Sequence, residues 1–439
     1  MLVRNDWNKD VKKALNEFLI QYRDQNQYVV FDFDNTCSIF DSAEHVAFYQ
    51  LKTLSFALNI EEMEKMLWSS LIKDQEYLDY IEDIITAYTS LYNRFGPFSY
   101  MGVKPELYSQ LMDDSMWKEL YVKIFHLYRL IEKKEGTTKA YCWICFWFTN
   151  MTKEEVYDLS CRALHYYKDL PTRQFSCCTD PLVLSKTGVK ELIHLEGISI
   201  TENIIELWKS LKEAEIGVYV CSASHIEVVK AAIDVWNLRK YCDGLLGMSV
   251  KYTDHFENEY DLSIGYSYKV KNNIWVNNKE PMQAICQGEG KVEAIDHILV
   301  KKYGYGPAAA FMDSTGDLHF CSEYSSLKLV VCFNRADRSI YDGGGLIALV
   351  AVYQKEKGYN KQDTHYYLQG RNENNRTFIP YEASYRFNST ALQLYKNEEN
   401  EKLLTLILKE NKTIKEIIDD HVRKYIDPDY RGYHQKEEV

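Results

Sequence analysis

The chain has 439 residues, of which 46% are hydrophobic and 26% are charged. This globular composition supplies enough apolar residues for a sizeable core, and it excludes a collagen-like, disordered or small disulfide-stapled protein. The 52 Lys and Arg against 64 Asp and Glu give a net charge of −12, which argues against nucleic acid or an anionic membrane as the partner because both need a basic face.

No window approaches the roughly 18–20 apolar residues of a membrane span, and residues 1–22 lack the apolar region of a signal peptide. The 11 Cys are odd in number and lie mostly in apolar runs, as free buried thiols do. Cys142 and Cys145 form one C-x-x-C, which we interpret as core thiols because no second pair has zinc-ribbon spacing. We therefore expect a protein of the reducing cytoplasm, or an exported one if a leader has been removed.

The first predicted elements are an amphipathic helix over residues 10–21 and a buried strand over 28–31. From 42 to 180 the pattern is mainly helical. Within this stretch Thr152 and Glu155 form a capping box, which begins a helix that continues to about residue 167.

Strands and helices alternate in the second half of the chain, which is typical of an α/β sheet. Helices are predicted at 203–214, 226–236 and 292–302, and strands at 216–221, 308–312 and 327–333. A β-hairpin or small β insertion is expected over 247–268, a loop at 372–375, and one or two charged helices over 398–423.

Two carboxylates separated by one residue follow the strand 28–31. Asp32 and Asp34 are expected to face a crevice at the carboxyl end of the sheet, where α/β folds bind ligands. One carboxylate can attack phosphorus to form an aspartyl-phosphate, and the other can protonate the leaving oxygen and then activate water. The alternative is a solvated loop in which Asn35 and Thr36 are turn formers.

A hydroxyl-rich segment lies between the strand 216–221 and the following helix. Ser222, Ala223 and Ser224 would bring a hydroxyl and free amides to a helix N-terminus, which is an arrangement that binds phosphate. The alternative is that Ser224 is only the N-cap of the helix.

Lys291 opens the helix 292–302, where its ammonium would either lie near the same anion site or be solvated. Asp313 and Asp317 follow the strand 308–312 with D-x-x-x-D spacing. A few carboxylates on a loop after a strand are suitable oxygen ligands for Mg²⁺.

The order, spacing and strand context of these segments resemble the four motifs of the haloacid-dehalogenase-like superfamily of phosphotransferases. The motif residues are Asp32, Asp34 and Thr36, then Ser222, then Lys291, then Asp313 and Asp317. The resemblance implies an α/β fold with a Rossmannoid parallel sheet flanked by helices and a largely helical cap inserted after the first strand. The chain departs from the pattern at Met312, where phosphoserine phosphatases usually have glycine.

The resemblance also implies roles for the motif residues. Asp32 is the nucleophile and Asp34 the general acid/base. The phosphoryl oxygens are bound by Thr36, Ser222, Ala223 and Lys291, and Mg²⁺ by Asp32, the backbone carbonyl of Asp34, Asp313 and Asp317.

Within the superfamily, the chain is similar to phosphorylcholine phosphatases and phosphoserine phosphatases. The segments that resemble the former are residues 31–36, 150–156, 220–225, 367–371 and 378–380. We expect a discontinuous catalytic core with a small β insertion, a helical cap, and C-terminal helices with a mobile tail. Their bounds are 1–41 and 181–390 for the core, 247–285 for the insertion, 42–180 for the cap, and 391–439 for the C-terminal part.

Fewer sequence features indicate the headgroup of the substrate. Asp41 lies nine residues after Asp32, where phosphoserine phosphatases have an acidic residue against the substrate ammonium, and Glu44 is one helical turn further. The alternative is that they are a helix N-cap and a first-turn acid. The aromatic stripe 141–148 either contributes to a quaternary-ammonium cage or forms the core of the cap.

These observations predict a magnesium-dependent phosphomonoesterase that hydrolyses a small phosphate ester with a cationic headgroup, similar to phosphocholine or phosphoserine. One alternative is a phosphotransferase or mutase that passes the phosphoryl group to an acceptor other than water. The other is a non-catalytic binding protein with the same fold.

Overall fold

The computed structural model describes residues 1–69, 71–248, 260–262, 268–271, 274–277, 286–335, 345–357 and 364–393. The predicted helices at 398–423 and the predicted mobile tail lie outside the described residues. None of the described helices is both long and apolar enough to cross a membrane.

Many of the described helices begin at a capping side chain, such as Asn8 before the first and Thr152 before the eighth. Their bounds are α1 Lys9–Gln21, α2 Ser42–Thr53, α3 Ile60–Leu67, α4 Gln75–Phe95, α5 Tyr108–Asp113, α6 Ser115–Glu135, α7 Thr137–Cys145, α8 Lys153–Lys168, α9 Glu202–Glu213, α10 Ile226–Val235, α11 Glu289–Ile295, α12 Lys301–Tyr303 and α13 Gly345–Lys357.

The strands belong to one large sheet and three small ones. Their bounds are β1 Tyr28–Phe31, β2 Ser38–Ile39, β3 Arg173–Cys178, β4 Glu191–Glu196, β5 Ser199–Ile200, β6 Gly217–His225, β7 Gly244–Met248, β8 Tyr260–Leu262, β9 Tyr268–Lys271, β10 Ile274–Asn277, β11 Ala309–Met312, β12 Leu329–Asn334, β13 His365–Asn372, β14 Thr377–Phe378, β15 Ser384–Tyr385 and β16 Leu392–Gln393.

The large sheet has the strand order β16-β15-β13-β12-β11-β1-β6-β7, and β14 pairs with β13. From β13 to β7 all neighbours are parallel. The central strand β1 is apolar throughout because it is buried on both faces. Val29 and Phe31 belong to the same apolar cluster as residues of α1, α9 and α10, whereas Tyr28 and Val30 belong to a second cluster with residues of α11 and α13. The predicted α/β fold, with a mainly parallel sheet between helices, is confirmed.

Helices α2 to α8 follow β1 and β2, and their apolar faces share one continuous core with one face of the large sheet. Residues 42–180 are mainly helical, as predicted, but they end in a strand, since β3 pairs antiparallel with β4. Pro171 favours this change because its ring cannot continue the helix that precedes it. The two segments that connect α2–α8 to the sheet pair with each other through β2 and β5.

Several boundaries also differ from the sequence prediction. Strand β6 continues to His225, four residues beyond the predicted end, and β7 adds a parallel strand over part of the predicted hairpin. The antiparallel strands β8, β9 and β10 lie within residues 260–277, inside the span 247–285 expected for a small β insertion. Strand β13 was not predicted.

Candidate active site

The predicted site residues converge at the carboxyl end of the large sheet, where β1, β6 and β11 lie side by side. Asp32 follows β1, Ser222 lies in the C-terminal half of β6, and Asp313 follows β11. A cavity of about 100 Å³ opens there between the strand ends and helices α2, α6 and α7. Among its lining residues are Asp32, Asp34, Asp41, Glu44, Ser222, Ala223, Lys291 and Asp313.

The loop after β1 is a tight turn that carries two of the carboxylates. The amide of Cys37 donates to the carbonyl of Phe33 over 2.7 Å, and the amide of Thr36 donates to the same oxygen. Asn35 has a φ of 63°, in the left-handed region that asparagine tolerates better than most residues. This turn brings Asp34 back towards the carboxyl end of the sheet and directs the Thr36 hydroxyl to Asp313, 3.1 Å away.

Three buried carboxylates form a cluster beneath the cavity. Oxygen atoms of Asp32, Asp313 and Asp317 all lie within 4.8 Å of one another. Burial, followed by the Asp32 carboxylate, raises the pKa of Asp317 to about 6, and burial likewise raises that of Asp313 well above its usual range. Carboxylates this close repel one another unless one is protonated or a cation lies between them, and hard oxygen donors suit Mg²⁺.

The ammonium of Lys291 supplies one positive charge to this cluster. Its Nζ lies 2.6 Å from Asp32 Oδ1 and 2.5 Å from Asp317 Oδ1, and the residue is 1% exposed. Burial alone would lower the pKa of Lys291, but the carboxylates of Asp317 and Asp32 raise it well above its ordinary value. The alternative of a solvated lysine is therefore wrong.

Asp34 is held by hydrogen bonds from the start of α2 and from β6. Its Oδ1 accepts a hydrogen bond from the Ser42 amide at 2.6 Å, and its Oδ2 accepts one from the Ser224 hydroxyl at 2.5 Å. Burial raises the pKa of Asp34 to about 6, although both of these hydrogen bonds favour the charged form. The metal contact predicted for Asp34 involves its backbone carbonyl and stays a prediction.

The predicted phosphate corner differs in detail from a helix N-terminus, because β6 continues through it. His225, and not Ser224, is the N-cap of α10, and its ring accepts from the Glu227 amide. Ser222 and Ala223 line the cavity, and the Ser222 hydroxyl accepts from the Ser224 amide at 3.1 Å. Their role in binding phosphate stays a prediction.

Asp41 and Glu44 both line the cavity. They also have the structural roles given above as the alternative, a helix N-cap and an acidic residue in the first turn. Asp41 is the N-cap of α2, with Oδ1 2.8 Å from the Glu44 amide. Glu44 forms an ion pair with Arg129 of α6 at 3.1 Å, which partly neutralises it. Burial, reinforced by the Asp34 carboxylate, raises the pKa of Asp41 well above its usual range.

The aromatic stripe divides between the cavity and the core. Tyr141 and Phe148 line the cavity, and Tyr128 of α6 joins them. Trp143, Phe146 and Trp147 are fully buried in the core around α2–α8. The cysteines of the C-x-x-C motif are free and buried.

Some residues at the site carried no clear sequence signal. The Arg335 guanidinium, at the end of β12, lies 3.1 Å from Asp313 Oδ2. Arg371 of β13 is almost fully buried and donates to the backbone and side-chain oxygens of Asn35. For Arg371 the one indication was that it ends the segment 367–371, which resembles phosphorylcholine phosphatases.

No family model and no curated protein matches the chain. Among solved structures, a conserved protein of unknown function from Anaerococcus prevotii is similar, with 25% identity, a TM-score of 0.71, and coverage of 88% of this chain and 99% of its own. Cytosolic 5'-nucleotidase IIIB aligns at 12% identity over 76% of this chain and 82% of its own, with a TM-score of 0.30. A phosphoserine phosphatase aligns at 11% identity over 70% and 86%, also with a TM-score of 0.30. The similarity to the first protein extends over nearly the whole of that chain.

Proposed function

We propose that the protein is a magnesium-dependent phosphomonoesterase of the haloacid-dehalogenase-like superfamily that acts through an aspartyl-phosphate. The observation that carries this proposal is the convergence of Asp32, Lys291, Asp313 and Asp317 at the end of the central strand, beside a cavity that also contains Asp34. Phosphoryl transfer needs mainly positioning and charge neutralisation. These residues are suited to both.

In this proposal Asp32 attacks phosphorus from the base of the cavity, while Lys291 and the Ser222 hydroxyl hold the phosphoryl oxygens. Asp34 lies on the same wall, with both carboxylate oxygens fixed by Ser42 and Ser224. It gives a proton to the leaving oxygen and then removes one from the water that hydrolyses the aspartyl-phosphate. A pKa of about 6 is suited to a group that must both donate and accept a proton near neutral pH.

The donor set fits Mg²⁺, since Asp32, Asp313 and Asp317 offer closely spaced carboxylate oxygens and are all buried. When bound, the ion would neutralise charge on the transferring phosphoryl group. Thr36 and Arg335 each hold one oxygen of Asp313 and so orient this carboxylate.

For the substrate, we propose a small phosphate ester with a cationic headgroup. Asp41 and Glu44 offer carboxyl oxygens in the same cavity as the rings of Tyr128, Tyr141 and Phe148, and a bound ammonium group would favour the charged form of Asp41. Carboxylates and ring faces both attract an ammonium group. The restricted volume of the cavity favours a small leaving group over a macromolecule.

The test is release of inorganic phosphate from phosphocholine, phosphoethanolamine, phosphoserine and several sugar phosphates, with and without Mg²⁺. We expect metal-dependent turnover that is fastest on the amines and is abolished in Asp32→Asn. Full activity in Asp32→Asn would refute the aspartyl-phosphate mechanism. Transfer of phosphate to an added alcohol in preference to water would indicate a phosphotransferase.

The headgroup is tested separately by Asp41→Asn. We expect KM to rise about tenfold or more for the amines, because a charge-assisted contact is lost, and to stay constant for sugar phosphates. An equal change in KM for both classes would contradict the headgroup assignment and leave the catalytic one intact.

A further inference from the structure

Arg371 is one of the largest fully buried side chains of the described residues, and it is 1% exposed. Its strand, β13, is three positions away from β1 in the sheet. Burying a guanidinium costs free energy unless its charge is paired and its N–H groups donate hydrogen bonds. The contacts of Arg371 show which groups it binds.

The guanidinium joins β13 to the loop after β1. Its Nη1 donates to the backbone carbonyl of Asn35 at 3.0 Å, and its Nη2 lies 3.3 Å from Asn35 Oδ1. Nη2 also donates to Glu373 Oε1 at 2.7 Å. Glu373 is itself fixed, because its other oxygen accepts from the Phe387 amide at 3.1 Å.

Asn35 is the residue of this loop whose conformation most needs support, since its φ is 63°. Its carbonyl belongs to the peptide unit that leads into Thr36, so holding that carbonyl also holds the backbone nitrogen of Thr36. The Thr36 hydroxyl then donates to Asp313. On the other side, Asn35 adjoins Asp34.

We propose that Arg371 is a positioning residue that fixes the Asp32–Thr36 loop through the carbonyl and side chain of Asn35. Glu373 orients the guanidinium, and the loop in turn orients Asp34 and Thr36. The effect of Arg371 on catalysis rests on the proposed function, whereas its effect on the conformation of the loop does not. Arg371 itself is absent from the residues that line the cavity, so it acts through Asn35 and not on the substrate.

The test compares Arg371→Met and Arg371→Lys with the matched control Arg376→Met. Arg376 also donates to a backbone carbonyl, that of Ile198 at 2.9 Å, but has no contact with the loop after β1. The first measurement is amide hydrogen exchange of residues 32–37, which precede the β2–β5 pairing; it needs no substrate. We expect about tenfold faster exchange in Arg371→Met, as for the loss of a charge-assisted hydrogen bond, and unchanged exchange in Arg376→Met.

The second measurement is kcat and KM with saturating Mg²⁺. We expect kcat to fall about 10–100-fold in Arg371→Met with KM nearly constant, because the headgroup contacts are intact. Arg371→Lys should behave like Arg371→Met, since an ammonium keeps the charge but not the two-pronged contact.

Unchanged hydrogen exchange in Arg371→Met would overturn the proposal whether or not the protein is a phosphatase. Wild-type kcat in Arg371→Lys would also overturn it, because charge alone would then suffice. A wild-type protein that releases no phosphate would refute the proposed function, and the exchange measurement would still decide the role of Arg371.

Discussion

Replacing Asp34 by asparagine separates the two proton transfers that the proposed mechanism assigns to this residue. The asparagine carbonyl can still accept from the Ser42 amide, and its NH₂ group can donate to the Ser224 hydroxyl, so the side chain keeps its place. The loss then reflects the missing proton alone. General acid–base catalysis contributes about 10²–10⁴-fold, which corresponds to roughly 2.7–5.4 kcal/mol at 1.36 kcal/mol for each factor of ten.

We therefore expect kcat for phosphocholine to fall by about 10²–10⁴ in Asp34→Asn. With p-nitrophenyl phosphate, whose leaving group needs no proton, rapid mixing should show a burst of one equivalent of nitrophenolate followed by slow turnover. The burst reports formation of the aspartyl-phosphate, and the slow phase reports its hydrolysis, which still lacks a base.

Asp234→Asn serves as the control, because Asp234 is an aspartate whose partners are Tyr157 and Arg239, away from the cavity. It should match the wild-type protein with both substrates. Two results would refute the role of Asp34: wild-type turnover of phosphocholine by Asp34→Asn, or equal loss of the first step with both leaving groups.

Two further predictions concern stability. Lys123 is fully buried between Asp83 and Glu119. Urea unfolding of Lys123→Met should therefore show a free energy of unfolding lower by about 3–5 kcal/mol. In the control Lys65→Met, which removes an exposed ion pair, the decrease should be less than about 1 kcal/mol, and equal decreases would contradict the prediction. Burial lowers the pKa of His45 to about 4. When the pH falls below about 6.5, the pKa of an unfolded histidine, the unfolded chain therefore binds a proton that the native state does not bind. Between pH 7 and pH 5 the wild-type protein should therefore lose about 2 kcal/mol more stability than His45→Gln, and identical pH profiles of the two would refute the assignment.

The sequence predicted where the main carboxylates and the lysine come together, because the ends of parallel strands share one edge of the sheet. Asp32 and Asp313 follow buried apolar strands, and Lys291 follows a glycine-rich start of a helix, so local patterns were sufficient. The roles of Asp34 and Ser224 were harder to separate. Their hydrogen bond joins residues 190 positions apart, and no periodicity encodes such a contact.

Contacts that depend on how helices and strands pack were not predictable from one sequence. The Arg129–Glu44 ion pair requires the crossing of α6 over α2, and the approach of Arg371 to Asn35 requires the strand order of the sheet. A single buried arginine leaves no repeating pattern. The β3–β4 ribbon was missed because it interrupts a long helical stretch with short strands whose side chains are mostly exposed.

The place of β1 in the sheet has a consequence for biosynthesis. Its partners β6 and β11 follow it by about 190 and 280 residues, and such distant pairings are slow to form. At roughly 5–20 residues per second, the ribosome needs about 14–56 s after β1 to complete β11. During that time an apolar strand has unpaired edges, which is the condition under which nascent chains aggregate or recruit chaperones. A chain that ends before residue 309 should therefore be insoluble, even though it already contains Asp32, Ser222 and Lys291.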